Sequence, residues 1–436
     1  MIDIIAYPSD EAERKIAEIA KRRPGADPFL ESEVLEIIGA VKAEGDAAVL
    51  RYTRRYDAPG LEEGRLRVSE EETDAACVEV GTDFLPVIRT AIRNIEDFHS
   101  QQIRHSYFIT KADGTFLGQV VRPLSSAGLY IPGGQGGETP LISSVLMNGI
   151  PARLAGVKDI AIVTPPRKDG SINPYLLAAA REVGVGRIYR AGSAWGIAAL
   201  AYGTESIAPV DVIVGPGNIY VALAKKIVSG EVKIDMIAGP SEILVLADSS
   251  ARADYIAADL LSQAEHDSMA SAICITTEES LARDVALSVS NQLSVLPRSG
   301  TATASIERYG AIFIVESIDA AVGLSNRIAP EHLELHLKDP LPWLGRIENA
   351  GAVFMGDHTP EPVGDYFAGP NHVLPTAGSA RFASALGVDD FLKKTSVIAY
   401  SRAAFDRDAE SIIRLAELEG LDAHAESVRI RLRACP

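Results

Sequence analysis

Apolar and polar positions follow one period in the first quarter of the chain and another after it. Up to about residue 110, apolar residues recur three and four apart among polar ones, as across 9–22 and 31–52. That spacing predicts helices burying one face. Segments 22–27 and 58–64 carry Pro and Gly and read as loops. This stretch shows no run of buried strands and reads as packing and assembly surface.

From about residue 120, short apolar runs alternate with helical patterns. Strands are expected at 120–130, 160–164, 187–191 and 211–214, and helices at 142–155, 175–183, 196–202 and 219–228. The cycle then restarts, with strands at 242–247, 271–276, 311–315, 332–337 and 352–355 and helices at 251–266, 281–296 and 320–328. Strands alternating with helices imply parallel pairing through right-handed crossovers. The expected fold is α/β: two doubly wound, Rossmann-like units of similar topology with helical N-terminal and C-terminal extensions. The boundaries implied are 1–110, mainly helical and partly packed on the second unit; 111–235, the first unit; 236–380, the second; and 381–436, a helical tail. In such folds ligands sit beyond the carboxyl ends of the strands, often between domains.

Composition narrows the function classes. At 436 residues, 47% apolar and 23% charged, the chain has a soluble globular profile and room for two or three domains. Its net charge of −17 argues against a nucleic-acid partner, which needs a basic footprint. No window holds 18 consecutive apolar residues, so no membrane span is expected, and the N-terminus lacks a signal-peptide pattern. Three widely spaced cysteines, Cys77, Cys274 and Cys435, form no metal knuckle or disulfide framework and suggest a reducing cytoplasm. Cys274, in an apolar run, reads as core.

Three glycine-rich turns follow expected strands: Gly133-Gly134-Gln135-Gly136-Gly137, the Gly192–Gly196 turn, and Gly215-Pro216-Gly217-Asn218. Each lets a backbone approach a phosphate at a helix N-terminus, yet none carries the full G-x-G-x-x-G fingerprint. Simple turn geometry remains an alternative for each; together, at corresponding strand ends, they suggest a dinucleotide.

Six of the eight histidines fall in the second half of the chain. Gln263 and His266 stand three apart at a helix end, on one face, with an oxygen and a borderline nitrogen that suit zinc or a similar ion. Asp365 and His372 lie in a loop-like stretch, and His424 in the tail. These spacings fit no zinc finger, but a catalytic site built from distant segments is allowed. In Pro330-Glu331-His332-Leu333-Glu334-Leu335-His336, alternation places His332, Glu334 and His336 on one strand face. That face is either a polar edge or a general base with its partner at a cleft: His suits proton abstraction from an alcohol, and a carboxylate suits activation of a water.

Several long motifs then point to one family. Val214-Gly-Pro-Gly-Asn-Ile-Tyr-Val-Ala222, Ile234-Asp-Met-Ile-Ala-Gly-Pro-Ser-Glu-Ile-Leu-Val245, Gln263-Ala-Glu-His266, Ala329-Pro-Glu-His-Leu333, Gly364-Asp-Tyr and Gly369-Pro-Asn-His-Val-Leu-Pro-Thr376 stand in order. With Leu418-Glu-Gly-Leu-Asp-Ala-His424, the chain resembles histidinol dehydrogenase over nearly its whole length. The resemblance implies oxidation of L-histidinol to L-histidine in two NAD-dependent steps through a bound aldehyde, ending histidine biosynthesis. It implies a cytoplasmic, intertwined homodimer with one zinc per site and ligands from both subunits. Gln263, His266, Asp365 and His424 match the zinc ligands, and Glu331 and His332 the catalytic pair. Ser241 and Glu419, with His332 and the zinc ligands, match substrate contacts; His372 lies in a matching loop. Tyr130 and Asn218 match NAD contacts.

Two departures lie on the cofactor side. Gly192-Ser-Ala-Trp195 stands where many members carry Gly-Gly-Ala-Gln, so Trp195 replaces an NAD-contacting amide and could stack on a ring or close the pocket. The loop around Gln135 to Glu138 also looks about three residues longer. Competing readings are a paralogue acting on another polar alcohol, such as a hydroxysulfonate, a non-catalytic zinc or nucleotide binder, and a plain α/β protein. Retained Glu419 and His424 argue against the first, and intact Glu331-His332 against the second.

Overall fold

Three sheets organise the chain in the computed structural model, which describes residues 2–22 and 28–433. Most of the expected loop at 22–27, and Cys435, lie outside the described residues. The strands in chain order are β1 (Asp3–Ala6), β2 (Tyr107–Thr110), β3 (Phe116–Pro123), β4 (Ser126–Tyr130), β5 (Asp159–Thr164), β6 (Arg187–Arg190), β7 (Val212–Val214), β8 (Lys233–Ile234), β9 (Glu242–Ala247), β10 (Ser271–Thr276), β11 (Gly310–Ile314), β12 (His332–His336), β13 (Ala352–Met355) and β14 (Leu392–Ala399).

The first sheet is parallel, in the order β6-β5-β4-β7-β8. The second, also parallel, runs β1-β11-β10-β9-β12-β13. Ignoring β1, both follow the same doubly wound order, third-second-first-fourth-fifth, so the expected similarity of topology holds. Apolar clusters lie on both faces of each sheet, which is why β9 and β10 read as continuous buried runs rather than alternating ones. Each fully buried Val, Leu or Ile in them contributes about 1.5–3 kcal/mol.

Several local expectations change. β1, unseen in the sequence, adds a parallel edge beside β11. The helix expected over 31–52 breaks into Pro28–Glu44 and Asp46–Tyr56, because Gly45 adopts φ +58°. The strand expected over 120–130 divides between β3 and β4, two different sheets. Helix Ser299–Tyr309, rich in Ser, Thr and Gly, gave no helical signal. The tail opens with β14 before its helices Arg402–Leu418 and Asp422–Arg433.

The chain forms two compact units: residues 1–102 with 124–391, which contain both parallel sheets, and residues 103–123 with 392–436. In the latter, β14 and β2 flank β3 in an antiparallel sheet, and Arg407 reaches Asp113 at 2.9 Å. Among the described residues no helix is long and apolar enough to cross a membrane. Cys274 is buried in β10, where desolvation pushes its thiol up to about 12 and leaves it inert.

Candidate active site

Helix Ile318–Ile328 ends where Ala329 takes a left-handed φ of 56° and Pro330 blocks continuation. The turn delivers Glu331 and His332 to the amino end of β12, an internal strand hydrogen-bonded to β9 and β13. This excludes the polar-edge alternative and corrects the expectation of a site at the carboxyl ends of the strands: in the second sheet, these two residues lie at the amino ends. Helix Ala253–Ala264 runs back against the strands, so its last turn brings Gln263 to that same end, just ahead of β10.

A hydrogen-bond lattice fixes the pair. His332 Nδ1 lies 2.9 Å from the Glu242 carbonyl oxygen, and Glu331 Oε2 accepts the Glu242 N–H at 2.8 Å. A carbonyl can only accept, so Nδ1 carries the proton and Nε2 keeps its lone pair. That Nε2 is buried without a hydrogen-bond partner, 4.0 Å from Glu361 Oε1. Burial lowers the His332 pKa against the fields of Asp365 and Glu334, which raise it, and so favours the neutral ring. Burial also raises Glu331, strengthening its carboxylate as a base.

Arg22 anchors this lattice. Its guanidinium, buried at the end of helix Asp10–Ala20, meets Glu242 Oε1 at 2.5 Å and the Met269 carbonyl at 2.6 Å. Nothing in the sequence marked Arg22 or Glu242 as part of the site; Arg22 stands three residues past Ile19, on the helix face that also buries Ala12 and Lys15.

Asp365 lies half-buried, with ligand atoms of His332, Glu361 and Asp365 all within 4.8 Å of one another. Glu361, also unforeseen, is pushed up to about 10, first by burial and then by Asp365. Gln263 is buried, and among the described residues neither its Oε1 nor the buried His372 Nε2 has a hydrogen-bond partner. Tyr366, beside Asp365, feels the charge of Glu265 at the end of helix Ala253–Ala264. The same helix end carries His266, which is exposed. Ser241 precedes β9 and accepts the Ser271 N–H through its carbonyl. Glu419 and His424 belong to the other unit, at the end of helix Arg402–Leu418 and within helix Asp422–Arg433, and both are exposed.

The glycine turns occupy the carboxyl ends of the first sheet. Gly215, at φ +113°, is gripped on both sides: its N–H donates to Asp235 Oδ2 at 2.8 Å and its carbonyl accepts from Lys225 Nζ at 2.9 Å. Lys225 and Asp235 form a buried ion pair. Asn218 caps helix Ile219–Val228, accepting from the N–H groups of Tyr220 and Val221 at 3.1 and 3.2 Å. Tyr130 hydroxyl accepts the Ser193 N–H at 3.2 Å. Trp195 is buried, its ring stacked against Tyr52 and Tyr56 and its Nε1–H donated to Thr53 Oγ1 at 3.0 Å. Its indole thus serves the packing of helix Asp46–Tyr56 and has no free N–H to offer.

A cavity of about 290 Å³ lies between helix Gly81–Ser100, which lines it with Phe84, Val87 and Ile88, the segment Thr139 to Ser143, and Tyr366 and Phe367.

Comparison with known proteins identifies the family. The family model described as histidinol dehydrogenase matches residues 21–432. The histidinol dehydrogenase of Desulfotalea psychrophila is 54% identical over 98% of each chain, and that of Moorella thermoacetica 55% identical over 92% of this chain and 94% of its own. The crystal structure of histidinol dehydrogenase from Elizabethkingia anophelis superposes with a TM-score of 0.91 at 38% identity, covering 99% of this chain and 98% of that one.

Proposed function

The chain belongs to the histidinol dehydrogenase family, and we propose that it oxidises L-histidinol to L-histidine in two NAD-dependent steps through a bound L-histidinaldehyde. The observation that carries this reading is the His332 tautomer: a proton fixed on Nδ1 and a buried, unpartnered lone pair on Nε2. That is the state a base needs to take a hydroxyl proton.

The residues fit a zinc ion. Gln263 Oε1 is a desolvated carbonyl oxygen without a donor, an arrangement that costs about 1–3 kcal/mol unless something satisfies it. With His266, Asp365 and His424 it would make the mixed nitrogen and oxygen set that zinc accepts. When bound, zinc supplies a template for the substrate's amine and imidazole and holds the carbinol carbon near the nicotinamide.

Nε2 of His332 takes the hydroxyl proton as hydride leaves for NAD. The Glu331 carboxylate then draws a proton from water as its hydroxyl adds to the aldehyde carbon, while His332 returns its proton from Nε2 to the carbonyl oxygen; the freed Nε2 takes a hydroxyl proton of the resulting hydrate as a second hydride leaves for a second NAD. Ser241 and Glu419 contact the substrate, with His372 close by. Tyr130 and Asn218, at the carboxyl ends of the first sheet, would hold NAD, with Trp195 as a rigid wall behind the Gly192 turn. The site is completed in a cytoplasmic homodimer, supported by the exposure of Glu419 and His424 and of the neighbouring Leu415, Leu418 and Leu421.

The test offers zinc-loaded protein L-histidinol and, separately, a hydroxysulfonate, each with NAD. NADH from histidinol alone is the expected result; NADH from the hydroxysulfonate alone would move the assignment to a different alcohol.

A further inference from the structure

A second cluster of ionisable side chains lies further along β12, and no step of the proposed oxidation uses it. His336 stands at the carboxyl end of the strand, 3% exposed. Its Nε2 lies 3.2 Å from Glu334 Oε2 and 3.5 Å from Asp259 Oδ2. Ligand atoms of Asp259, Glu334 and His336 all fall within 4.8 Å of one another, and all three residues are buried. We propose that Asp259, Glu334 and His336 form a second divalent-cation site for an ion of the zinc or manganese class, separate from the site at the amino end of the sheet.

Five observations support it. Metal bonds of about 2.0–2.2 Å to nitrogen and oxygen put neighbouring ligand atoms roughly 3–4.4 Å apart, a range that holds the 3.2 and 3.5 Å between His336 Nε2 and the two carboxylates. His336 is oriented for ligation: Nε2 faces both carboxylates, while Nδ1, which makes no hydrogen bond, faces Asp357 Oδ1 at 3.7 Å.

Glu334 is also preset. Its Oε1 accepts the Glu361 N–H at 2.8 Å, which turns Oε2 towards His336. Charge is unbalanced too. Among the described residues neither Asp259 nor Glu334 has a Lys or Arg ion-pair partner; Arg252 pairs with Asp254 and exerts only a weaker field on the half-exposed Asp357. Two buried carboxylates facing one imidazole are costly unless a proton or a cation is shared among them.

Topology points the same way. β9 and β12 are neighbours where the strand order of the second sheet reverses, and Asp259 comes from the helix that follows β9. The carboxyl side of such a switch point is where doubly wound sheets ordinarily bind ligands. In this sheet that place is left to His336 and its carboxylates, because Glu331 and His332 use the opposite end. Asp259 sits one helical turn before Gln263, and His336 four residues after His332, so the two sites share a helix and a strand but no proposed ligand.

Metal counting tests this directly. Untagged full-length protein is stripped with chelator, equilibrated by dialysis against free Zn²⁺ or Mn²⁺, and analysed by inductively coupled plasma mass spectrometry. The parent is expected to hold one equivalent per chain more than either H336Q or D259N. D365N is expected to lose a different equivalent, so that D365N/H336Q loses both. Circular dichroism confirms folding, and if one single variant fails to fold the other decides. A parent holding no more metal than H336Q and D259N overturns the proposal and leaves a proton-sharing acid cluster.

Discussion

The two parallel sheets share one strand order and differ in which end they use. In the first, the glycine turns after β4, β6 and β7 gather at the carboxyl ends, and the fixed backbone of Gly215 is held by a buried Lys225–Asp235 pair. In the second, Glu331 and His332 enter at the amino ends, held by the Glu242 backbone. Topology alone therefore does not locate the chemistry. A left-handed Ala329 followed by Pro330 is enough to place a buried acid and base at the unconventional end.

Changes in each half sharpen that division. The largest effect is expected for His332→Asn, which keeps a donor for the Glu242 carbonyl but removes the Nε2 lone pair. Its kcat is expected to fall about 10²–10⁴-fold with KM little changed, read from steady-state NADH formation; an unimpaired kcat contradicts the assignment. In the first sheet, Lys225→Met leaves Asp235 buried and unpaired, a loss of about 3–5 kcal/mol by urea unfolding. The K225M/D235N double variant is expected to recover part of it.

Gly215→Ala sharpens the contrast further. At φ +113° any side chain is strained, and a Cβ would run into the Tyr130 carbonyl. A cost of about 1–3 kcal/mol follows, read as a raised KM for NAD with metal content unchanged. A matching loss of metal would mean that the two regions are not separable.

The smallest effect concerns Asp57, which follows helix Asp46–Tyr56. Burial raises its carboxyl to about 7, and Oδ2 has no hydrogen-bond partner. A raised folded-state pKa means stability is fully present below the unfolded value near 3.8 and is lost as pH rises through about 7. Asp57→Asn removes that dependence, so its Tm advantage over the parent is expected to be slight at pH 4 and to grow up to about pH 8, followed by scanning calorimetry. An advantage independent of pH would contradict a buried, titrating carboxyl as its origin.

Much of this architecture was legible because buried parallel strands leave an unmistakable trace. β9 and β10 are unbroken apolar runs, and helix Ile219–Val228 and β13 match their expected bounds. What failed depended on tertiary context. β2, β3 and β14 are exposed or half-exposed antiparallel strands, and β14 reaches its partner β3 from far along the chain. Likewise, Arg22, Glu242, Lys225, Asp259 and Glu361 are charged residues that sequence alone assigns to solvated faces. The one local hint was position: Lys225 stands four residues after Val221 and three before Val228, on the buried face of its helix. Trp195 could be placed at the end of β6 from sequence, but its commitment to Tyr52 and Tyr56 could not, since those rings arrive from the N-terminal helices.

The most direct test of the division between a cofactor half and a chemical half counts products. Purified protein is incubated with L-histidinol and NAD, with and without chelator, and NADH is measured against histidine. Two NADH per histidine, abolished by chelator and restored by zinc, is the expected result. One NADH with released aldehyde, or an unchanged rate in metal-free protein, would contradict it.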